Sequence, residues 1–281
     1  MNVLSLFDGM SCGQIALERT GFKVDKYYAS EIKKIAIRCC MNNFPDTIQL
    51  GDVRGININD LPIIGALIGG SPCQDISYLK HGSGGIYGDK SGLFFEYYRV
   101  LKRLREINPD IKFLLENVNG RKASIDVISN LLGVQPIRIN SSLVSFQNRD
   151  RLYWTNIEGV GSPKDKHINF QDFKETNNID EYMVNKTPSR IKMWGNGVNG
   201  KCPNVTDRGK INCLTRKQDR WNNSGLVEYG DFCRYLTVRE CELAQTVPIG
   251  YTSCLSKNQA WDLLGDGWTV DVIAHILSYM K

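Results

Sequence analysis

The feature that most constrains this 281-residue chain is an alternation of short apolar runs with stretches of helical period. Val3-Leu4-Ser5-Leu6-Phe7 reads as a buried strand; a glycine-bearing turn follows, then a helix carrying Ile15, Ala16 and Leu17 that stops at Gly21. A second strand near Tyr27-Tyr28-Ala29 ends at Ser30-Glu31, a helix carries Ile32, Ile35, Ala36 and Cys39, and a third short strand ends at Gly51-Asp52-Val53. Ala66-Leu67-Ile68-Gly69 is a fourth strand. Phe94, Tyr97, Leu101 and Leu104 recur at helical spacing, and residues 111–115 form an apolar strand closing on Glu116. Strands that alternate with helices predict an α/β fold with a doubly wound, mainly parallel, Rossmann-like sheet. Such sheets hold their ligands beyond the carboxyl ends of the strands, so the residues that close each run are the candidates for chemistry.

From about Thr155 to Asp231 the alternation fails and Asn, Gly, Lys and Pro dominate; it recovers at Thr237-Val238-Arg239-Glu240, which reads as a capped helix, and in a closing helix from Trp268 to Met280. The expected division is therefore residues 1–154 and 237–281 as one catalytic domain, with 155–236 an inserted recognition lobe. The net charge of +5 is too mild to identify a partner, but its distribution is uneven. Between Met183 and Asn223 stand Lys186, Arg190, Lys192, Lys201, Arg208, Lys210, Arg216, Lys217 and Arg220 against Asp207 and Asp219 alone. Trp194 and Trp221 interleave with them, as small-lobe core or as stacking groups. Nine cysteines lie scattered without a CxxC pair, and no secretory leader or membrane-spanning run stands out, so a soluble, cytoplasmic protein of a reducing compartment is expected. Cys202, Cys213, Cys233 and Cys241 lack the paired spacing of a zinc site, and no metal is expected.

Gly70-Ser71-Pro72-Cys73-Gln74-Asp75-Ile76 presents a cysteine just past the fourth strand, a candidate nucleophile. Residues 78–90, with Gly82, Gly84, Gly85 and Gly88, read as a mobile loop. Glu116 ends an apolar strand, where desolvation raises a carboxyl pKa, and Gln147-Asn148-Arg149-Asp150-Arg151 supplies two cations. Phe7-Asp8-Gly9-Met10-Ser11-Cys12-Gly13 has GxxxG spacing and so lacks the dinucleotide fingerprint, yet its backbone amides can hold a carboxylate; Glu31, at the end of the second strand, suits ribose hydroxyls. A cysteine hydrolase using Cys73 and His81 is the competing enzyme reading, although a glycine-rich loop holds an imidazole poorly and Glu31, Glu116 and the arginines go unused.

In this order the motifs resemble the DNA (cytosine-5) methyltransferase family of bacterial or phage type, and Phe7-Asp8-Gly9 and Gly265-Asp266-Gly267-Trp268 are similar in wording to the vertebrate de novo methyltransferase catalytic domain. The resemblance implies methyl transfer from S-adenosylmethionine to C5 of a flipped cytosine in double-stranded DNA through a covalent adduct between Cys73 and C6. It implies Glu116 at N3 and Arg151 at O2, with Arg149 and Gln147 organising the pocket. It implies cofactor contacts from Phe7, Asp8, Gly9, Cys12, Gly13, Glu31, Ile32, Asp52, Val53, Pro72, Leu93, Asp266, Gly267 and Trp268. Asp266 and Gly267 depart from the Asn and Ser usual in the family's last motif. Gln74, Lys80, His81, Gln147, Lys192, Lys201, Arg208, Arg216, Lys217 and Arg220 are the expected DNA contacts. The implied state is a monomer, with a cognate restriction endonuclease as a candidate partner. A transfer-RNA methyltransferase of the same fold, or an inactive DNA-binding homologue, are the alternatives the resemblance leaves open.

Overall fold

A computed structural model describes residues 1–72, 92–196, 203–217 and 224–280. The glycine-rich loop, with Cys73, Gln74, Lys80 and His81, lies outside the described residues, as do Lys201, Arg220 and Trp221. In chain order the first elements are β1 (Asn2–Leu6), α1 (Cys12–Thr20), β2 (Lys26–Ser30), α2 (Lys34–Asn43), β3 (Ile48–Gln49) and β4 (Ile64–Gly70). Next come α3 (Leu93–Ile107), β5 (Lys112–Val118), α4 (Lys122–Leu132), β6 (Ile137–Asn140) and β7 (Asp150–Thr155). Then follow β8 (Met183–Asn185), α5 (Pro188–Asn196), β9 (Leu226–Tyr229), β10 (Phe232–Tyr235), α6 (Val238–Ala244), α7 (Lys257–Asp266) and α8 (Val270–Leu277). No helix among the described residues is long and apolar enough to cross a membrane.

The chain divides into two compact units: residues 1–139, 150–162 and 273–281 form unit 1, and residues 140–149 and 163–272 form unit 2. These boundaries differ from the expected ones, because residues 237–272 cluster with unit 2. The reason is visible in side chains: Glu240 of α6 pairs with Arg234 of β10, and Gln147 bonds to Gln245 and Thr269.

The large sheet runs in the order β3-β2-β1-β4-β5-β7-β6. β1, β2, β3, β4 and β5 pair in parallel, and β7 runs antiparallel to β5. The expected doubly wound, mainly parallel sheet is thus present. From β1 the chain moves outward to β3 and returns across β1 to β4, so the order reverses between β1 and β4, the place where α/β sheets open a crevice. Alternation along the strands separates the faces: Leu4, Leu6, Tyr28, Leu67, Phe113, Leu115 and Trp154 pack with Phe94, Tyr97, Val100, Leu101 and Leu104 of α3 and Ile128 and Leu132 of α4. Phe94 is fully buried there, and truncating it to alanine should cost about 3–5 kcal/mol. Gly69 lets this packing close, since a Cβ on it would meet the Leu6 carbonyl oxygen at 2.8 Å and the Tyr97 ring at 3.1 Å.

Helix ends follow local chemistry. α1 stops where Gly21 takes a left-handed φ of 73° and its N–H reaches the Glu18 carbonyl. α6 starts with a reciprocal capping box between Thr237 and Glu240, as its sequence predicts.

In unit 2 a small antiparallel sheet is ordered β8-β10-β9. Its anchor is a fully buried ion pair, Arg234 Nη2 to Glu240 Oε1 at 2.7 Å and Nη1 to Oε2 at 2.8 Å. Both groups find further partners, as burial demands: Arg234 donates to the carbonyls of Glu175 and Tyr235, and Glu240 accepts from the amides of Thr237 and Glu175.

Candidate active site

The turn leaving β1 is bent sharply. Phe7, Gly9 and Ser11 have φ of 57°, 60° and 67°, and for Phe7 and Ser11 this left-handed backbone stores about 1–3 kcal/mol each. Surrounding bonds impose it. Asp8 N donates to the Ser30 carbonyl at 3.1 Å, Gly9 N to Glu31 Oε2 at 2.8 Å, and Tyr27 Oη to Asp8 Oδ1 at 2.7 Å. Burial raises the Asp8 carboxyl to about 6, against hydrogen bonds that lower it. Burial likewise pushes the Tyr27 hydroxyl well above its usual value, with the neighbouring Asp8 charge acting in the same sense.

The other strand-end candidates surround this turn. Glu31 stands past β2 as expected, but its carboxylate also accepts from the amides of Ile32 and Lys33, each at 2.8 Å. Ile32, next to Glu31 in the chain, is 68% exposed, an apolar ledge. Beyond β3, Asp52 caps a short 3-10 turn, residues 53–55, and Arg54 holds its carboxyl down to about 2. The third strand therefore ends earlier than the sequence predicts, at Gln49. Val53 is buried and its carbonyl accepts from Arg99 of α3 at 3.0 Å. Leu93 begins α3 at the edge of the core. Cys12 and Gly13 lie buried in the first turn of α1, and no side chain caps that helix. A helix start able to receive an anion, an apolar ledge and two carboxylates form a set suited to a nucleoside that carries a charged chain.

The second group gathers where β4 and β5 end and β7 begins. Gly70 is registered against Glu116, and Cys73 comes three residues later in the chain. Ser71, between them, is buried and held by Asn117 Nδ2, which donates to its carbonyl at 3.2 Å and to its Oγ at 3.1 Å; Pro72 follows, half-buried. Glu116 is 8% exposed, and Arg151 Nε lies 3.0 Å from its Oε1. Strand pairing explains the meeting: Val118 is registered against Arg151 and Glu116 against Tyr153, so Arg151 and Glu116 are diagonal neighbours on one face. Asn117 and Tyr27 are not among the site residues the sequence suggests. The run Leu152-Tyr153-Trp154-Thr155 is the signal that identifies strand β7.

Arg149 and Gln147, expected beside them, belong to unit 2. Arg149 is 4% exposed; its guanidinium donates to the Gly267 carbonyl at 2.8 Å and more weakly to those of Gly265 and Leu214. It holds the end of α7. Gln147 is fully buried, donating to Ala244 O and Gln245 Oε1 and accepting from Leu214 N. Its side-chain amide is thus engaged within the unit. Gly265 packs against the backbone of Thr215 and Arg216, where any Cβ would collide. Asp266 pairs with Arg216 at 3.3 Å; Gly267 accepts from Arg149, and Trp268 is half-buried.

The basic stretch is less free than its composition implies. Lys210 donates to the carbonyls of Ser142, Ser145 and Ile168, and burial lowers its pKa. Lys186 bonds to the Gly230 carbonyl and Arg190 to that of Asn185, while Arg216 pairs with Asp262. Lys192, Arg208 and Lys217 are exposed.

Comparison with known proteins accords with this geometry. Residues 1–127 match the family model for C-5 cytosine-specific DNA methylases. The chain is similar to the orphan methyltransferase M.SPRI of Bacillus phage SPR, 34% identical over 167 residues, covering 54% of this chain and 37% of that protein. It is 28% identical to the type II methyltransferase M1.ScrFI of Lactococcus lactis subsp. cremoris over 313 residues, covering 99% of this chain and 77% of the relative. The match thus spans only about a third of the length of the phage relatives, and most of the Lactococcus one. In fold, the chain superposes on S. pombe Dnmt2 methyltransferase with a TM-score of 0.77 at 18% identity, covering 99% of this chain and 97% of that one.

Proposed function

We propose that this chain, whose residues 1–127 match the family model for C-5 cytosine-specific DNA methylases, methylates C5 of cytosine in double-stranded DNA with S-adenosylmethionine as donor. The observation that carries the reading is the Glu116–Arg151 pair, 3.0 Å apart, with Glu116 registered against Gly70 three residues before Cys73.

Cytosine C5 is a weak nucleophile, and addition of the Cys73 thiolate to C6 moves electron density toward it. Glu116 hydrogen-bonds the ring at N3, which makes C6 more electrophilic. Arg151 orients Glu116 and offsets the charge that develops on O2. Asn117 holds Ser71, two residues before Cys73 in the chain. When bound, S-adenosylmethionine supplies the electrophilic methyl group. The turn after β1, Glu31, Ile32 and the segment around Asp52 and Val53 would hold it, with the start of α1 offered to its carboxylate and Ile32 to its adenine. Loss of the C5 proton then restores the ring and releases Cys73. A cytosine inside a duplex is out of reach of this chemistry, so it must be turned out of the stack at a cost of a few kcal/mol. Lys192, Arg208 and Lys217 of unit 2 are the residues we assign to phosphate contact.

Bisulfite sequencing of plasmid from cells expressing the protein tests this. Methylated cytosines in one sequence context are the expected result, with none from the Cys73→Ser variant. Methyl transfer to transfer RNA and not to duplex DNA would replace the substrate, and transfer to neither would remove the reading.

A further inference from the structure

Beneath the turn after β1 lies a buried polar cluster that the reaction above does not use. Tyr27, 4% exposed on β2, donates from its hydroxyl to Asp8 Oδ1 at 2.7 Å. The second Asp8 oxygen is buried without a hydrogen-bond partner. Ser11 accepts from Gln14, which also bonds to Thr47, and Cys40 donates to Thr47 at 3.6 Å. The Tyr27 hydroxyl also closes on α1: a Cβ on Gly13 would meet it at 2.7 Å. One phenol therefore braces both the Asp8 carboxylate and the first turn of the helix.

The geometry points to Tyr27 as a positioning residue for S-adenosylmethionine, acting through Asp8 to keep the Phe7–Ser11 turn in its left-handed conformation. This rests on the cofactor assignment made above. Asp8 sits between two left-handed residues, Phe7 and Gly9, and its amide and carbonyl both bond locally, to Ser30 and from Ser11. Fixing its side chain therefore fixes a backbone that left-handed strain would otherwise release. Without the phenol hydroxyl, Asp8 loses the Tyr27 bond in a buried place and keeps only the nearby serine hydroxyls of Ser5 and Ser11, and the turn relaxes toward ordinary dihedrals. The amides that face the cofactor then lose their alignment. Glu31, whose Oε2 accepts from Gly9, shares this strained segment and feels the same relaxation.

The test is calorimetric titration of the full-length protein with S-adenosylmethionine and with S-adenosylhomocysteine, for wild type, Tyr27→Phe, Asp8→Ala and the double variant. Tyr27→Phe should weaken both ligands by about tenfold, the scale of one lost hydrogen bond to a charged group. In steady state it should raise KM for the cofactor while kcat at saturation changes less than about twofold. In the Asp8→Ala background, Tyr27→Phe should add nothing, since the phenol no longer has the group it positions. Equal affinities of wild type and Tyr27→Phe, or effects of the two substitutions that simply add, would overturn the inference. A wild-type protein that binds neither ligand would instead overturn the cofactor assignment.

Discussion

At the carboxyl ends of unit 1's strands, Glu31, Asp52 and Glu116 sit at or just beyond a strand, where Glu31 accepts from backbone amides, Asp52 pairs with Arg54 and Glu116 with Arg151. In unit 2, Arg234, Glu240, Lys210 and Arg149 close on one another or on several backbone carbonyls. The same residue types therefore do different work. A parallel sheet with a buried core leaves its strand ends as the natural outlet for polar groups, whereas a loop-rich unit with short strands needs charge to satisfy its own backbone. Counting Lys and Arg along residues 183–223 overestimates what that stretch can offer to phosphate, because Lys186, Arg190, Lys210 and Arg216 are engaged internally.

This contrast can be broken at several points. The largest effect falls on unit 1's chemistry: Cys73→Ser should abolish methyl transfer, by at least about three orders of magnitude, while cofactor affinity measured by titration is unchanged. Residual turnover within tenfold of wild type would mean that another group carries the reaction. Next is unit 2's anchor. Glu240→Gln leaves the buried guanidinium of Arg234 without its counterion and should cost about 3–5 kcal/mol in urea unfolding, whereas joint replacement of both by apolar residues should cost less.

Asp8 gives a smaller and pH-dependent effect. Its carboxyl titrates near 6 in the folded chain against 3.8 for an ordinary aspartate, so the unfolded state loses this proton first. Stability is therefore lost as pH rises from about 4 to about 6, and above that ionised Asp8 costs roughly 3 kcal/mol at most. Asp8→Asn should raise the unfolding free energy at pH 7.5 and leave it unchanged below pH 4; a constant gain at all pH values would show that the carboxyl charge is not the cause. Smallest are the exposed cations. Replacing Lys192, Arg208 or Lys217 with alanine should weaken DNA binding uniformly across sequences and reduce the salt slope by about 1 each. Lys210→Met should lower stability and leave that slope intact.

Much of unit 1 is legible from sequence because its signals are local. The run that ends in Glu116 and Gly21 as a helix stop need only a few neighbouring residues to be read, as does the cap of Thr237 with Glu240 in unit 2. The rest depends on contacts made far along the chain. Gln147 is buried by Ala244, Gln245 and Thr269, roughly a hundred residues away, and Arg151 meets Glu116 only because β7 inserts antiparallel beside β5. The run Leu152-Tyr153-Trp154-Thr155 marks a strand, but nothing near either residue says which partner it meets. Tyr27 looks like ordinary strand core; the bond from its hydroxyl to Asp8 forms only because the turn after β1 folds over β2.

The central claim is that Cys73 attacks the ring of a cytosine while Glu116 and Arg151 stand beside it. Incubating the protein with S-adenosylmethionine and duplex DNA containing 5-fluorocytosine, followed by mass spectrometry of the digested protein, reads that claim directly. The account predicts a stable covalent complex with the nucleotide attached to the peptide bearing Cys73, formed far more slowly by Glu116→Gln. A complex attached at another cysteine, or no complex under conditions where the methyl donor is bound, would contradict it.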